Sequence, residues 1–160
     1  MSEILQYPQH EATLRKVAAP VETFDSSLKD LVKDLVESTK ESGGLAVAAP
    51  QIGLDAAVFV YALPSGRGGV VINPEVVALS DDLWSYREGC LSIPGHFWWV
   101  NRPNTITIEY RDLKGNKQMW TDSMVNGRML QHELDHLQGR LIVDLLSRYE
   151  KKHLAKELGR

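Results

Sequence analysis

Two histidines four residues apart, with a glutamate beside the first, form the clearest catalytic pattern in the sequence. They are His132, Glu133 and His136, in the segment HELDH. Residues four apart share one face of a helix, so both imidazoles can reach one metal ion. The glutamate can hold and deprotonate a water molecule on that metal. Two surface histidines are the alternative, but an apolar setting favours a metal site: Met129, Leu130, Leu134, Leu137 and Leu141.

A hydrolytic metal site needs a third protein ligand, and the sequence offers more than one. The pattern HExxHxxGxxH requires a histidine at position 142, where the chain has Ile142, so that class is excluded. Glu150 or Glu157 could serve as a downstream glutamate ligand, although both lie in a charged amphipathic tail. Cys90 is the only cysteine, and a thiolate beside two imidazoles suits zinc or another late first-row divalent ion. We therefore favour Cys90.

Three segments resemble the motifs of the peptide deformylase family. Residues 44–51 read GLAVAAPQ, similar to GxGxAAxQ; residues 88–92 read EGCLS; and residues 131–136 read QHELDH. The order and spacing also match, over nearly the whole chain. Ala46 departs from the family glycine, whose backbone N–H contacts the bound peptide. The added methyl group is expected to tune specificity without abolishing activity.

The resemblance implies a metal-dependent hydrolase that removes the formyl group from the N-terminal formyl-methionine of nascent polypeptides. Glu133 would act as general base and then as general acid. The Gln51 side-chain amide and the Leu91 backbone N–H would donate hydrogen bonds to the oxyanion. The resemblance points to ferrous iron, with zinc, nickel or cobalt as substitutes. The implied metal ligands are Cys90, His132 and His136.

The resemblance also implies a binding site for an extended peptide. The substrate backbone would lie as an added strand beside residues 45–46 and Gly89. The aliphatic stem of Arg128 would line the methionine pocket while its guanidinium group reaches water. The aromatic run 97–99 would form the pocket rim, pack in the core or lie partly exposed. The implied binding residues are Gly44, Leu45, Ala46, Glu88, Gly89, Arg128 and Met129, with His132 also at the pocket.

Metal-bound imidazoles usually donate their second N–H to a carboxylate or a carbonyl group. Glu88 and Asp135 are the candidates for this support, and Arg102 is expected to pair with one of them. Two other functions remain open. One is a metallopeptidase that cuts internal peptide bonds, and the other is an inactive homologue that binds formylated peptides.

Hydrophobic periodicity and turn residues predict the elements that position this chemistry. A short helical turn is expected near residues 11–18, and a helix over 25–40 that Asp25 or Ser26 can cap and two glycines end. Further helices are predicted at 123–138 and 146–158. Strands are predicted at 56–63, 70–74, 83–86, 105–110 and 117–122, with a hairpin turn at 112–116. This order predicts an α+β fold of short antiparallel sheets around a central HExxH helix, as one domain over residues 1–160.

The composition of the chain limits which binding partners and which cellular location are expected. The 160 residues are 43% hydrophobic and 24% charged, as in a soluble globular protein. The net charge of −3 argues against a broad nucleic-acid or anionic-membrane surface. No long apolar stretch, no signal-peptide pattern and a single cysteine predict a cytoplasmic protein. A basic C-terminal group is interpreted as a solvated helix face or a ribosome contact: Arg148, Lys151, Lys152, Lys156 and Arg160.

Overall fold

The computed structural model describes residues 3–160. The helices are α1 Glu11–Leu14, α2 Ser26–Ser42, α3 Met124–Leu137 and α4 Arg148–Glu157. The strands are β1 Ala46–Ala48, β2 Val58–Ala62, β3 Gly68–Leu79, β4 Leu83–Cys90, β5 Ile93–Pro103, β6 Thr105–Arg111 and β7 Lys117–Ser123. Short 3-10 helices cover Ala49–Ile52 and Ile142–Leu145. The predicted α+β class is confirmed.

The strands form two antiparallel sheets. Five strands pair in the order β1-β2-β3-β6-β7, and β4 pairs with β5 as a separate hairpin. Consequently β1 lies at an edge of the large sheet, and β4 has a second edge that no strand covers. Strands β7 and β5 form the opposite edges of the two sheets, so β1 and β4 supply two of the four outer strand edges.

The large sheet is packed between two helices, because successive residues of a strand point to opposite faces. In β2, Phe59 and Tyr61 share a buried cluster with Leu130 and Leu134 of α3. Their neighbours on the opposite face of β2 belong to a second cluster, which includes Leu35 of α2. A third cluster joins β5 to α1 and to the C-terminal part of the chain: Leu14, Ile93, Val100, Leu141, Ile142, Val143, Leu146 and Leu154.

The two long helices follow their sequence signals. The Asp25 carboxylate accepts hydrogen bonds from the Ser27 N–H at 3.0 Å and the Leu28 N–H at 3.4 Å, so Asp25 is the N-cap of α2. Gly43 ends α2 with a φ of 67°, in the left-handed region that favours glycine. Helix α3 covers the predicted range to within one residue at each end. Within residues 3–160, none of the helices combines the length and hydropathy needed to cross a bilayer.

Several other boundaries differ from the predictions. Strand β3 continues to Leu79 and β4 to Cys90, beyond the predicted 70–74 and 83–86, and α1 ends at Leu14, before the predicted residue 18. Helix α4 begins at Arg148, two residues later than the predicted start at 146, because the Ser147 hydroxyl accepts a hydrogen bond from the Glu150 N–H and caps the helix there. Strand β1 has only three residues, which is too short for an alternation pattern. Strand β5 was not predicted, because Pro94, Gly95 and Pro103 indicated loop structure. All five predicted strand segments do contain strands.

Candidate active site

A cleft of about 460 Å³ lies between the edges of β1 and β4. The segment 44–46 forms one wall, the β4 segment 86–90 with Leu91 forms another, and α3 forms a third. The residues that α3 contributes are Val125, Arg128, Met129, His132 and Glu133. The cleft therefore combines exposed backbone edges with the helix that carries the HExxH motif.

Three side chains of the kinds that bind metal ions converge beside this cleft. The two Nε2 atoms of His132 and His136 are 3.2 Å apart, and the Cys90 Sγ lies 3.4 Å from the Nε2 of His136. One ligand atom from each residue lies within 4.8 Å of the other two. The helical spacing of four places both imidazoles on one side of α3. Cys90 is the last residue of β4 and follows a register shift in the pairing of β4 with β5.

These donors fit a divalent metal ion. The Nδ1 of His132 donates a hydrogen bond to Glu88 at 2.7 Å, which directs its Nε2 toward the other two donors. Burial raises the pKa of the Cys90 thiol, but the two nearby imidazoles outweigh that effect and lower the pKa well below its ordinary value. The thiolate is the form that binds metals. A thiolate and two imidazoles suit zinc or iron, and this group could hold such an ion.

The two downstream glutamates lie elsewhere. Glu150 accepts hydrogen bonds from the Ser147 N–H and hydroxyl group at the start of α4. Glu157 pairs with His96 at 3.2 Å and with His153 at 3.5 Å. Neither belongs to the group of candidate ligands that the described residues form.

Glu133 lies in the cleft next to the donor group. Its side chain is buried, and its Oε2 has no hydrogen-bond partner among the described residues. Burial raises the pKa of Glu133, while the two neighbouring histidines lower it in part, so the pKa stays above its ordinary value. A carboxylate with an unpaired oxygen and a raised pKa can exchange protons with a bound molecule.

Gln51 is held in one orientation by its neighbours. Gln51 lies in the 3-10 helix that follows β1. Its Oε1 accepts a hydrogen bond from the Ala48 N–H at 3.0 Å. This assignment directs its Nε2 toward the Ser92 hydroxyl at 3.2 Å and the Cys90 Sγ at 3.9 Å. The side chain is only 1% exposed. The amide is therefore a fixed donor that faces Ser92 and the candidate metal ligand Cys90.

The N-terminal segment around Leu5 and Tyr7 forms backbone hydrogen bonds to the residues around Gln51 and Ser92. The Leu5 N–H donates to the carbonyl oxygen of Gln51 at 2.7 Å, and the Tyr7 N–H donates to that of Ser92 at 2.9 Å. The segment thus ties the Gln51 loop to the turn between β4 and β5, which contains Leu91.

Leu91 and Gly44 both line the cleft and lie in close contact with each other. A Cβ atom added to Gly44 would lie 2.7 Å from the Leu91 Cδ1, so glycine allows this close approach. Leu45, Ala46 and Met129 also line the cleft. The structure thus places the sequence-predicted substrate residues around one cavity.

A buried charged network supports His132. Glu88 accepts hydrogen bonds from Arg102 at 2.7 and 2.9 Å and from Arg128 at 2.9 Å. Arg102 also donates to Asp135 at 2.9 Å, so it pairs with both predicted carboxylates. Burial raises the pKa of Glu88, but His132 and Arg102 outweigh it and lower the pKa strongly. Glu88 is therefore ionised beneath the histidine.

The prediction that the Arg128 guanidinium reaches water is wrong. Arg128 is only 5% exposed. Its guanidinium donates to Glu88 and to the Trp84 carbonyl oxygen, and it lies 5.3 Å from the Trp84 ring centroid and 6.0 Å from that of Tyr86. A carboxylate, a carbonyl and two ring faces take the place of water around the charge, while the Arg128 Nε has no hydrogen-bond partner among the described residues.

The aromatic run has three different environments. Phe97 lines the cleft, Trp98 packs against the third core cluster, and Trp99 is exposed. His96 also lines the cleft, and sequence reasoning missed it. Its only sequence signal was proximity to the EGCLS segment.

Fold and site together define an α+β protein in which an HExxH helix and a strand cysteine form a possible metal centre. The family model for polypeptide deformylase matches residues 1–152. The chain therefore belongs to the polypeptide deformylase family, whose members are hydrolases.

Individual relatives support this family assignment. A peptide deformylase from Borreliella burgdorferi is 37% identical over 155 residues, covering 96% of this chain and 93% of the relative. A crystal structure of a peptide deformylase from Legionella pneumophila superposes with a TM-score of 0.92 at 35% identity, covering 99% and 94% of the two chains. The Synechococcus elongatus enzyme in complex with actinonin gives a TM-score of 0.91 at 31% identity, covering 99% and 86%.

Proposed function

We propose that this protein is an active, metal-dependent peptide deformylase. It removes the formyl group from the N-terminal formyl-methionine of nascent polypeptides and releases formate. The observation that carries the proposal is the convergence of Cys90, His132 and His136 on one point, with Glu133 beside them in an open cleft.

Cys90, His132 and His136 would hold one divalent ion, for which we propose Fe²⁺. Zinc, nickel or cobalt would occupy the same donors in a purified protein. When bound, such an ion supplies Lewis-acid activation of water near neutral pH. Glu88 keeps the His132 imidazole in the tautomer that has a free Nε2.

Glu133 is the proposed proton carrier. Its unpaired carboxylate oxygen accepts the proton of the attacking water and then delivers it to the nitrogen of the leaving amine. The bond that breaks is the one between the formyl carbon and the methionine nitrogen. Burial supports this role, because it raises the pKa of Glu133 toward the range in which the carboxylate both accepts and releases protons.

Gln51 and Leu91 are the proposed oxyanion donors. Negative charge develops on the formyl oxygen during attack, and donors fixed in advance stabilise it without rearrangement. The hydrogen bond between the Ala48 N–H and the Gln51 Oε1 supports this role by aiming the Nε2 at the site. The Leu91 N–H would supply the second donor.

The substrate backbone is proposed to lie between β1 and β4. Main-chain pairing with 44–46 and Gly89 is independent of sequence, which suits an enzyme that accepts many polypeptides. The methionine side chain would enter the part of the cleft lined by Leu45, Met129 and the apolar stem of Arg128. Glu88 holds the end of that arginine.

Three wider features belong to the same proposal. Residues 1–160 act as one catalytic domain, and the protein works in the cytoplasm on nascent chains. The basic α4 segment would contact the ribosome. Its lysines and arginines at 148, 151, 152 and 156 are exposed, and this exposure supports the proposed contact.

Glu133→Ala tests the catalytic assignment. Metal content should stay near that of the wild type, while formate release from formyl-Met-Ala-Ser should fall roughly 100- to 10,000-fold. Glu109→Ala is a matched control, because Glu109 lies on β6 in a surface pair with Lys117. Retained activity in Glu133→Ala would refute the proton-carrier role.

The same assay separates the alternative functions. Cleavage of an internal peptide bond without formate release would identify a metallopeptidase. Binding of the formylated peptide without turnover in the metal-loaded wild type would identify an inactive homologue. Reloading the stripped protein separately with iron, nickel and zinc under argon, followed by elemental analysis and formate release, tests the metal assignment.

A further inference from the structure

The β4–β5 hairpin has one buried face and one exposed face. Along β5, Val100 and Arg102 are buried, whereas Phe97 and Trp99 are 56% and 69% exposed. Large aromatic rings bury well over 100 Å² when they pack. Neighbouring exposed rings on one strand face indicate a contact surface.

The exposed rings are organised by cross-strand pairing. Gly89 lies opposite Phe97, and a Cβ atom on Gly89 would be 2.7 Å from the Phe97 ring, so the ring lies directly over the glycine. Arg87 lies opposite Trp99, and its guanidinium carbon is 5.1 Å from the Phe97 ring centroid. We call Arg87, Phe97 and Trp99 the aromatic platform.

The platform is continuous with the cleft. Arg87, Gly89 and Phe97 all line the cleft, and Trp99 extends the same face beyond it. Gly89 is also a proposed pairing residue for the substrate backbone. A chain that leaves the cleft across Gly89 would therefore meet the Phe97 ring first and then Trp99.

We propose that the aromatic platform binds the part of the substrate polypeptide that follows the residues in the cleft. This inference rests on the proposed deformylase function. Flat rings contact side chains of many kinds, and the Arg87 guanidinium can donate to substrate carbonyl oxygens. Such a surface adds affinity for longer chains without imposing a sequence.

The test compares two substrates that differ in length. One is formyl-Met-Ala-Ser, and the other starts with the same residues and continues to about nine, which spans roughly 30 Å when extended. For the wild type, kcat/KM should be about tenfold higher for the long peptide, the scale of one or two aromatic contacts. Trp99→Ser should lower this ratio to about threefold, because Phe97 and Arg87 remain. Tyr149→Ser is the matched control, because Tyr149 is 78% exposed on α4.

Binding of both peptides to the Glu133→Ala protein provides a readout independent of turnover. Trp99→Ser in that background should weaken binding of the long peptide alone. Equal binding of both peptides before this substitution would overturn the inference, as would an unchanged ratio after it. Self-association or vesicle binding that Trp99→Ser removes, with no effect of peptide length, would also overturn it. Failure to release formate from either peptide would count against the proposed function and leave the binding comparison to decide this inference.

Discussion

Arg102→Met removes the central cation of the buried network. Arg102 makes three charge-assisted hydrogen bonds, two to Glu88 and one to Asp135. The side chains of Arg102, Glu88 and Asp135 are 7%, 6% and 18% exposed. Methionine keeps much of the apolar volume, so the main change is the loss of positive charge.

The expected loss of stability follows from this burial. Removing one partner of a buried ion pair typically costs about 3–5 kcal/mol, because the other charge remains buried. Glu88 would keep Arg128 and His132 as partners, which favours the lower end, about 3 kcal/mol. The surface pair of Lys117 with Glu109 offers a contrast, since exposed pairs contribute about 1 kcal/mol or less.

Urea unfolding of the wild type, Arg102→Met and Lys117→Met measures the difference. The midpoint should fall for Arg102→Met with little change in the denaturant slope. The melting temperature should drop by roughly 6–12 °C, at about 2–4 °C per kcal/mol for a domain of this size. The variant of Lys117 should shift by much less.

A loss below about 1 kcal/mol for Arg102→Met, equal to that of the surface control, would refute the reasoning. It would mean that Arg128 and His132 alone compensate Glu88, or that water enters the site when Arg102 is removed. The denaturant slope separates these outcomes from a change in the unfolded state.

Two further predictions concern other parts of the molecule. Gln51→Ala should retain metal while kcat falls about 100- to 1,000-fold with little change in KM, measured by formate release; an unchanged kcat would contradict the donor role. Burial raises the pKa of Asp144, but Arg15 outweighs it and lowers the pKa below the unfolded value of about 3.9. Asp144 therefore stabilises the fold above that pH and loses this effect as pH falls further. Acid unfolding of Asp144→Asn, followed by circular dichroism, should be less steep below about pH 4, and an identical profile would count against the pairing with Arg15.

The sequence was most informative where structure depends on neighbouring residues. The cap at Asp25 and the leucines of α2 predicted that helix, because both signals act within a few residues. Strand β5 was not predicted, because it contains proline and glycine, which usually interrupt strands. Its pairing with β4 stabilises the strand in spite of these residues. The cleft could not be derived from periodicity, because it depends on which strand edges the topology leaves uncovered.

The same distinction applies to the site. Short motifs predicted which side chains would gather, since HExxH fixes two donors on one helix turn. The position of the Arg128 guanidinium depends on Trp84, 44 residues earlier in the chain, and no local pattern encodes that contact. Long-range partners decided whether this charge was buried.

The N-terminal segment that supports the Gln51 loop has a consequence for the order of folding. Leu5 bonds to a residue 46 positions later, and Tyr7 bonds to one 85 positions later. During synthesis neither bond can form until its partner has left the ribosome, so the Leu5 bond must wait for β1 and the Tyr7 bond for β1 to β4. Contacts with such separation close late, because the loop entropy is lost before the contact forms. The backbone next to Gln51 and Leu91 should therefore become rigid after the local contacts of α2 and β2 have formed.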